Sequence, residues 1–183
     1  MRASLAADTV LIQEEEPDQY QDAMTSDNAT EWKAATQREY DSLMKNHTWD
    51  LVSLPTNRSL IRARSLIRAR WTFKIKPAFK ASEKIYKARF VAKGYSQCPG
   101  IDYKESEIYS PVLKHDSFRV MCSIAAVHDL ELFQLDVKTA FLYGDLDEEL
   151  YVEQPGGFVR PGKGHLVCRL RRPLYGLVQS ARK

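Results

Sequence analysis

Between Trp71 and Ala92 apolar and basic residues alternate with a period of two, and no other stretch constrains the fold as tightly. Trp71, Phe73 and Ile75 fall on one side, and Thr72, Lys74 and Lys76 on the other. After a turn-like interval from Pro77 to Glu83, the alternation resumes from Ile85 to Ala92. A period of two belongs to a strand, so the segment reads as a β-hairpin with a long tip. Just before it, Ser-Leu-Ile-Arg-Ala-Arg occurs twice, at 59–64 and 65–70. On a helix, six residues turn through about 600°, which carries the second Leu-Ile pair some ~120° away from the first. On a strand six is even, and the faces stay in register. Ile61, Ala63, Ser65, Ile67, Ala69 and Trp71 then share one face. Leu60, Arg62, Arg64, Leu66, Arg68 and Arg70 share the other. The expectation is extended structure with a basic side. The repeat is too short for a solenoid and reads as a local tandem duplication.

Charge is concentrated in this same region. Residues 58–93 carry 12 basic and 1 acidic side chains, residues 1–57 carry 4 and 11, and the remainder carries 11 and 12. Net charge is only +3, but a field so localised, broken by Glu83 alone, points to a polyanionic partner. The bland alternative is a solvated charged edge that discourages strand aggregation. Cys98, Cys122 and Cys168 are odd in number and widely spaced. That argues against a disulfide framework or a zinc site and suits a reducing compartment. No run approaches signal-peptide or membrane-span length, so the expected location is intracellular, in cytoplasm or nucleus.

Elsewhere the pattern is α+β. Residues 1–27 are acidic and weakly patterned, and read as a flexible tail. Asp27 or Asn28 offers an N-cap for a helix from Thr30 to Lys45, with Asn46-His47 as its stop. Thr48 to Leu54 reads as a short strand, and 94–110 as loop. Asp116 or Ser117 caps a helix to about His128, with Phe118, Met121, Cys122, Ala125 and Ala126 on its apolar side. Leu132 to Asp136 reads as a short strand followed by a compact turn. Tyr151 to Gln154 and Leu166 to Leu170 are two further strands, and Leu177 to Lys183 looks like the beginning of a helix. Antiparallel strands with packed helices are expected.

Several blocks then resemble, in order, the reverse transcriptase domain of copia-type retrotransposons. These are Glu-Trp-Lys-Ala-Ala at 31–35, Asn-His-Thr-Trp-Asp-Leu-Val-Ser-Leu-Pro at 46–55 and Tyr-Lys-Ala-Arg-Phe-Val-Ala-Lys-Gly-Tyr-Ser-Gln at 86–97. Ser-Pro-Val at 110–112, the long block from Gln134 to Phe158 and Leu-Tyr-Gly-Leu-Val-Gln-Ser at 174–180 continue the series. The resemblance runs over roughly residues 16–182 and implies the fingers and first part of the palm of a right-hand polymerase, occupying 28–183. The hairpin at about 71–92 would be the fingers hairpin, and 132–144 the first catalytic palm block.

It also implies roles. Asp136 would hold Mg²⁺, with the Val137 carbonyl as a second ligand, in a site that takes two ions. Arg89 would grip the triphosphate bidentately, and Lys87 and Lys76 would add point charge. Lys74 would face the nucleic-acid backbone, and the basic side of the repeat, Arg62, Arg64, Arg68 and Arg70, adds nucleic-acid-binding candidates by its charge rather than by the resemblance. Phe141 would lie under the nucleotide sugar, or else be a plain core aromatic. Gln179 would lie near the nucleotide, although Val178 and Ala181 depart from the Lys and Pro usual in that block. The implied partners are an RNA or DNA template–primer and deoxynucleoside triphosphates.

The family's second catalytic block, Tyr-x-Asp-Asp, has no counterpart, since no Asp-Asp pair occurs in the 183 residues. The expectation is therefore a polymerase domain fragment that is inactive alone. A non-catalytic nucleic-acid-binding remnant, or a pseudogene product, is the alternative. Asp145, Asp147, Glu148 and Glu149 read as a solvated turn and helix start. The near P-loop from Gly157 to Gly164 lacks the Ser or Thr that would bind Mg²⁺ and precedes a strand, which excludes it.

Overall fold

In the computed structural model the described residues are 15–55, 66–77, 84–137 and 139–183. They form helices α1 (Tyr20–Thr25), α2 (Ala29–Lys45) and α3 (His115–Val127), with strands β1 (Trp49–Ser53), β2 (Ala69–Pro77), β3 (Lys84–Ala92), β4 (Tyr151–Val152) and β5 (Leu166–Leu170). The α+β expectation holds, with two antiparallel sheets. One is the β2–β3 hairpin and the other has the order β1–β5–β4.

Helix α2 forms because Trp32, Ala35, Thr36 and Leu43 fall on one face and are buried. It ends where expected. Asn46 donates its backbone and side-chain N–H groups to the Ser42 carbonyl, and His47 turns the chain at φ 50°. Thr48 then closes the end by donating its hydroxyl to the Leu43 carbonyl at 2.7 Å. The buried face of α2 packs on β3. Trp32 lies edge-to-face between Phe73, at 5.1 Å, and Tyr86, at 4.7 Å. Trp71 extends this aromatic core to Phe90 and Phe158. Burying rings of this size contributes several kcal/mol each, on the order of 3–5 by truncation.

The hairpin register places Trp71 opposite Phe90 and Phe73 opposite Ala88 on the inner face, with Thr72 opposite Arg89 and Lys74 opposite Lys87 on the outer face. The parity read from the repeat holds where it is described. Ile67 and Trp71 are buried, whereas Arg68 and Arg70 are exposed. Arg62 and Arg64, with the first copy of the repeat, lie outside the described residues.

Several expectations are corrected. Residues 15–27 are held against the fold rather than forming a flexible tail. Ala23 is buried, and Glu16 accepts from Lys74 Nζ at 2.6 Å and from the Ile75 amide at 3.0 Å. The apolar positions Tyr20, Ala23 and Met24 recur at helical spacing, which sequence polarity masked. Leu132 to Asp136 is not a strand, because no strand among the described residues lies beside it to complete a ladder. Helix α3 starts after Lys114 rather than at Asp116 or Ser117, and most of its apolar side is exposed. The β4 strand is only two residues long. Leu177 to Lys183 makes successive turns rather than a helix, and no helix begins at Asp145 to Glu149. Among the described residues, no helix is long and apolar enough to cross a membrane.

Candidate functional site

The outer face of the hairpin gathers cations because its alternate residues are basic and its inner residues are committed to the core. Arg89 and Lys87 are half-buried there, and Lys76 and Lys74 are exposed. Lys74 is not free, since it is paired with Glu16. The guanidinium of Arg89 lies 4.5 Å from the ring centroid of Tyr175. The same Tyr175 ring meets Phe141 edge-to-face at 4.7 Å. Phe141 sits in the 3₁₀ turn Ala140–Tyr143, the compact turn expected after Asp136. Arg89 and Phe141, distant in sequence, thus belong to one stack.

The electrostatics link two more residues to this face. The Lys87 ammonium is held below its ordinary range, first by burial and then by repulsion from Arg89 and Lys76, while Glu39 and Asp136 act in the opposite direction. Glu39, on α2, is pushed above the usual carboxylate range by burial. It accepts the Phe90 amide and feels Arg89 and Lys87, all of which oppose that rise. One residue earlier, Arg38 donates to the Tyr86 carbonyl at 3.1 Å. Together Arg38 and Glu39 satisfy backbone groups on the edge of β3 that β2 does not cover.

Asp136 itself is exposed, on a segment without regular structure. Among the described residues no group of three or more His, Cys, Asp or Glu side chains could hold a metal ion. An exposed carboxylate with a neighbouring carbonyl at Val137 does not by itself fit a two-ion site.

Gln179 is placed differently from expectation. It is wholly buried, accepts from Gln97 Nε2 at 3.1 Å and donates its own amide to the Asp102 carbonyl at 3.1 Å. Gln97 in turn accepts the Val178 amide at 2.9 Å. Both ends of the Gln179 side chain are engaged, so it ties the 97–102 loop to the 174–180 block rather than presenting an amide to a nucleotide. Asp102 belongs to this lock, with one oxygen accepting the Cys98 amide at 2.8 Å and the other buried without a partner.

A cleft of about 520 Å³ lies elsewhere. Asp145, Asp147, Glu148, Glu149 and Arg169 to Arg172 line it together with His47. Ion pairs engage several of its charges, Asp145 with Arg172 and Asp147 with Lys183, while both buried oxygens of the Glu148 carboxylate lack a hydrogen-bond partner. Volume alone does not outweigh that neutralisation, and neither Arg89 nor Asp136 lines it. A smaller cavity of about 250 Å³, lined by Glu39, Tyr86, Lys87 and Thr139, adjoins the hairpin.

Sequence reasoning missed Tyr175, Glu39 and Gln97. Tyr175 and Gln97 stood inside recognised blocks, which was a usable signal. Glu39 carried none, because an acid on an amphipathic helix looks like solvated surface.

The chain matches the model of the family described as "Reverse transcriptase (RNA-dependent DNA polymerase)" over residues 46–183, and it belongs to that family. Its relatives are retrotransposon polyproteins, as the ordered blocks implied. It is 44% identical over 175 residues to the retrovirus-related Pol polyprotein from transposon TNT 1-94 of Nicotiana tabacum, covering 95% of this chain and 13% of that protein. It is 41% identical to the corresponding polyprotein from transposon RE2 of Arabidopsis thaliana, covering 95% of this chain and 11% of that protein. For transposon RE1 of the same plant the identity is 40%, covering 82% and 10%. The chain thus spans about an eighth or less of the length of these relatives. No solved structure matches it.

Proposed function

We propose that the chain is the nucleotide-facing part, fingers with the first part of the palm, of the RNA-directed DNA polymerase of a copia-type Pol polyprotein. The single observation that carries this reading is that Arg89, on the outer face of the basic hairpin, and Phe141 meet on the same Tyr175 ring. Arg89 grips phosphate oxygens of the incoming deoxynucleoside triphosphate, and Lys87 and Lys76 add charge. Lys74, once released from Glu16, joins Arg62, Arg64, Arg68 and Arg70 along the template–primer backbone. Phe141 lies against the sugar. Asp136, with the Val137 carbonyl, supplies one part of a magnesium site whose other carboxylates this chain does not contain. The intracellular setting of such elements, cytoplasm or nucleus, belongs to the same reading.

Two measurements test it. Binding of an RNA–DNA primer–template should be measurable at low salt and should weaken steeply as salt rises, by roughly 0.9 log unit per log unit of salt for each phosphate neutralised. Absence of binding at low salt sinks the reading. Primer extension with Mg²⁺ should give no incorporation, because one carboxylate cannot clamp two ions. Incorporation that Asp136→Ala abolishes would show the chain to be competent by itself.

A further inference from the structure

We infer that Tyr175 is the positioning residue of this site, coupling the grip on phosphate to the fit of the sugar. The inference rests on the triphosphate reading of Arg89 and Phe141 given above. A cation held over a ring face at 4.5 Å is restrained in position, yet its N–H groups lie in the guanidinium plane and stay free for phosphate. An edge-to-face partner at 4.7 Å fixes the Phe141 ring in the same way. One side chain therefore sets the positions of two groups on separate elements, β3 and the 140–143 turn.

Tyr175 can do this because its backbone is pinned independently of its ring. Its carbonyl accepts the Ala92 amide at 2.8 Å, and it forms a parallel bridge with Val91 at the end of β3. The approach is closer than any side chain permits at two points. A Cβ on Gly176, where φ is 88°, would meet the Ala92 carbonyl oxygen at 2.1 Å, and one on Gly94 would meet the Gly176 oxygen at 2.0 Å. Two glycines thus seat the block on β3, and Tyr175 is the side chain that this seating points at Arg89 and Phe141. Its half-buried ring is not part of the core cluster around Trp32 and Trp71.

The test is triphosphate binding to the 183-residue chain, with inorganic tripolyphosphate, thymidine triphosphate and its ribonucleotide counterpart as probes. Tyr175→Leu should weaken both tripolyphosphate and thymidine triphosphate by about tenfold and narrow the preference for the deoxy sugar. Tyr175→Phe, which keeps the ring, should match the wild type on all three probes. A merely structural residue would not move the sugar preference. Wild-type affinity and preference in Tyr175→Leu, or a loss in Tyr175→Phe as large as in Tyr175→Leu, overturns the inference and leaves the proposed function standing. No triphosphate binding by the wild type overturns the triphosphate reading and the inference with it. Should Tyr175→Leu fail to fold, the Arg89 side-chain proton resonances of the wild type decide. Ring-current-shifted signals that move on adding tripolyphosphate support the stack, and unshifted signals overturn it.

Discussion

The hairpin and the α3 region carry similar amounts of apolar side chain, yet they use it in opposite ways. Around α2, β2 and β3 the large residues are inside. Trp32, Trp71, Phe73 and Phe90 are all buried. Along α3 and the segment after it the large residues are outside, with Val127 79%, Phe133 83% and Leu135 92% exposed. Helix propensity and amphipathic pattern are sound in both. What differs is the presence of a covering layer, which the hairpin has in α2 and which α3 and residues 130–137 lack among the described residues. A strand needs a ladder and an apolar face needs a cover, so pattern alone does not make either one. The two halves of the candidate site inherit this contrast. Arg89 and Phe141 are held by a ring, while Asp136 sits on an exposed, irregular segment.

The sharpest way to break that comparison is to remove the hairpin's cover. Trp32→Ala takes away a ring packed against both Phe73 and Tyr86 and leaves a cavity in the best-packed part of the molecule. The expected loss is about 3–5 kcal/mol, read as a drop in the urea midpoint at unchanged slope. A loss under about 1 kcal/mol would mean that the hairpin does not depend on α2, and the contrast drawn here would fail.

What could be read from sequence divides along the same line. The hairpin was legible because two-residue alternation, a localised charge excess and β-branched and aromatic composition all agree over Trp71 to Ala92. The α2 stop at Asn46-His47 was legible for a similar reason, since side-chain chemistry and helix end coincide. Leu132 to Asp136 was misread because its composition suits a strand, whereas strand formation depends on a neighbour that local sequence does not reveal. Residues 15–25 were misread because Glu16 and Asp22 hide a short apolar stripe. At the site, Arg89, Lys87 and Phe141 could be named from recognised blocks. Their joining through Tyr175, and the burial of Gln179 against Gln97, are tertiary facts with no local signature.

A second prediction sharpens the comparison at the edge of β3. Glu39 is held above its ordinary range chiefly by burial, so the fold favours its neutral form. A group raised in the folded state contributes stability that is fully present below its unfolded value and is lost as pH rises through the folded one. Glu39→Gln keeps an acceptor for the Phe90 amide without the charge. The stability of the wild type relative to this variant should therefore be greatest near about pH 4 and should fall as pH rises from the ordinary glutamate range upward. The change is on the order of 1 kcal/mol, as for a single buried polar group. A relative stability that rises with pH instead would mean that attraction from Arg89 and Lys87 outweighs burial.

The smallest expected effect tests the contrast from its other side. If the apolar residues of α3 and the following segment are uncovered, exchanging them for polar ones removes no packing. Val127→Thr and Leu135→Ser should each change stability by no more than about 0.5 kcal/mol, the range of ordinary surface substitutions. Truncating side chains of comparable size in the hairpin core should cost several times as much. Solubility is a separate readout with its own direction, because removing exposed Leu and Phe side chains shrinks an adhesive patch. Leu135→Ser combined with Phe133→Ser should leave the urea midpoint in place while raising the concentration at which the chain stays monodisperse. A loss above about 2 kcal/mol in either single variant would show that these side chains are packed in solution. Asp136 would then stand on ordered structure, and the two halves of the site would be equally preorganised.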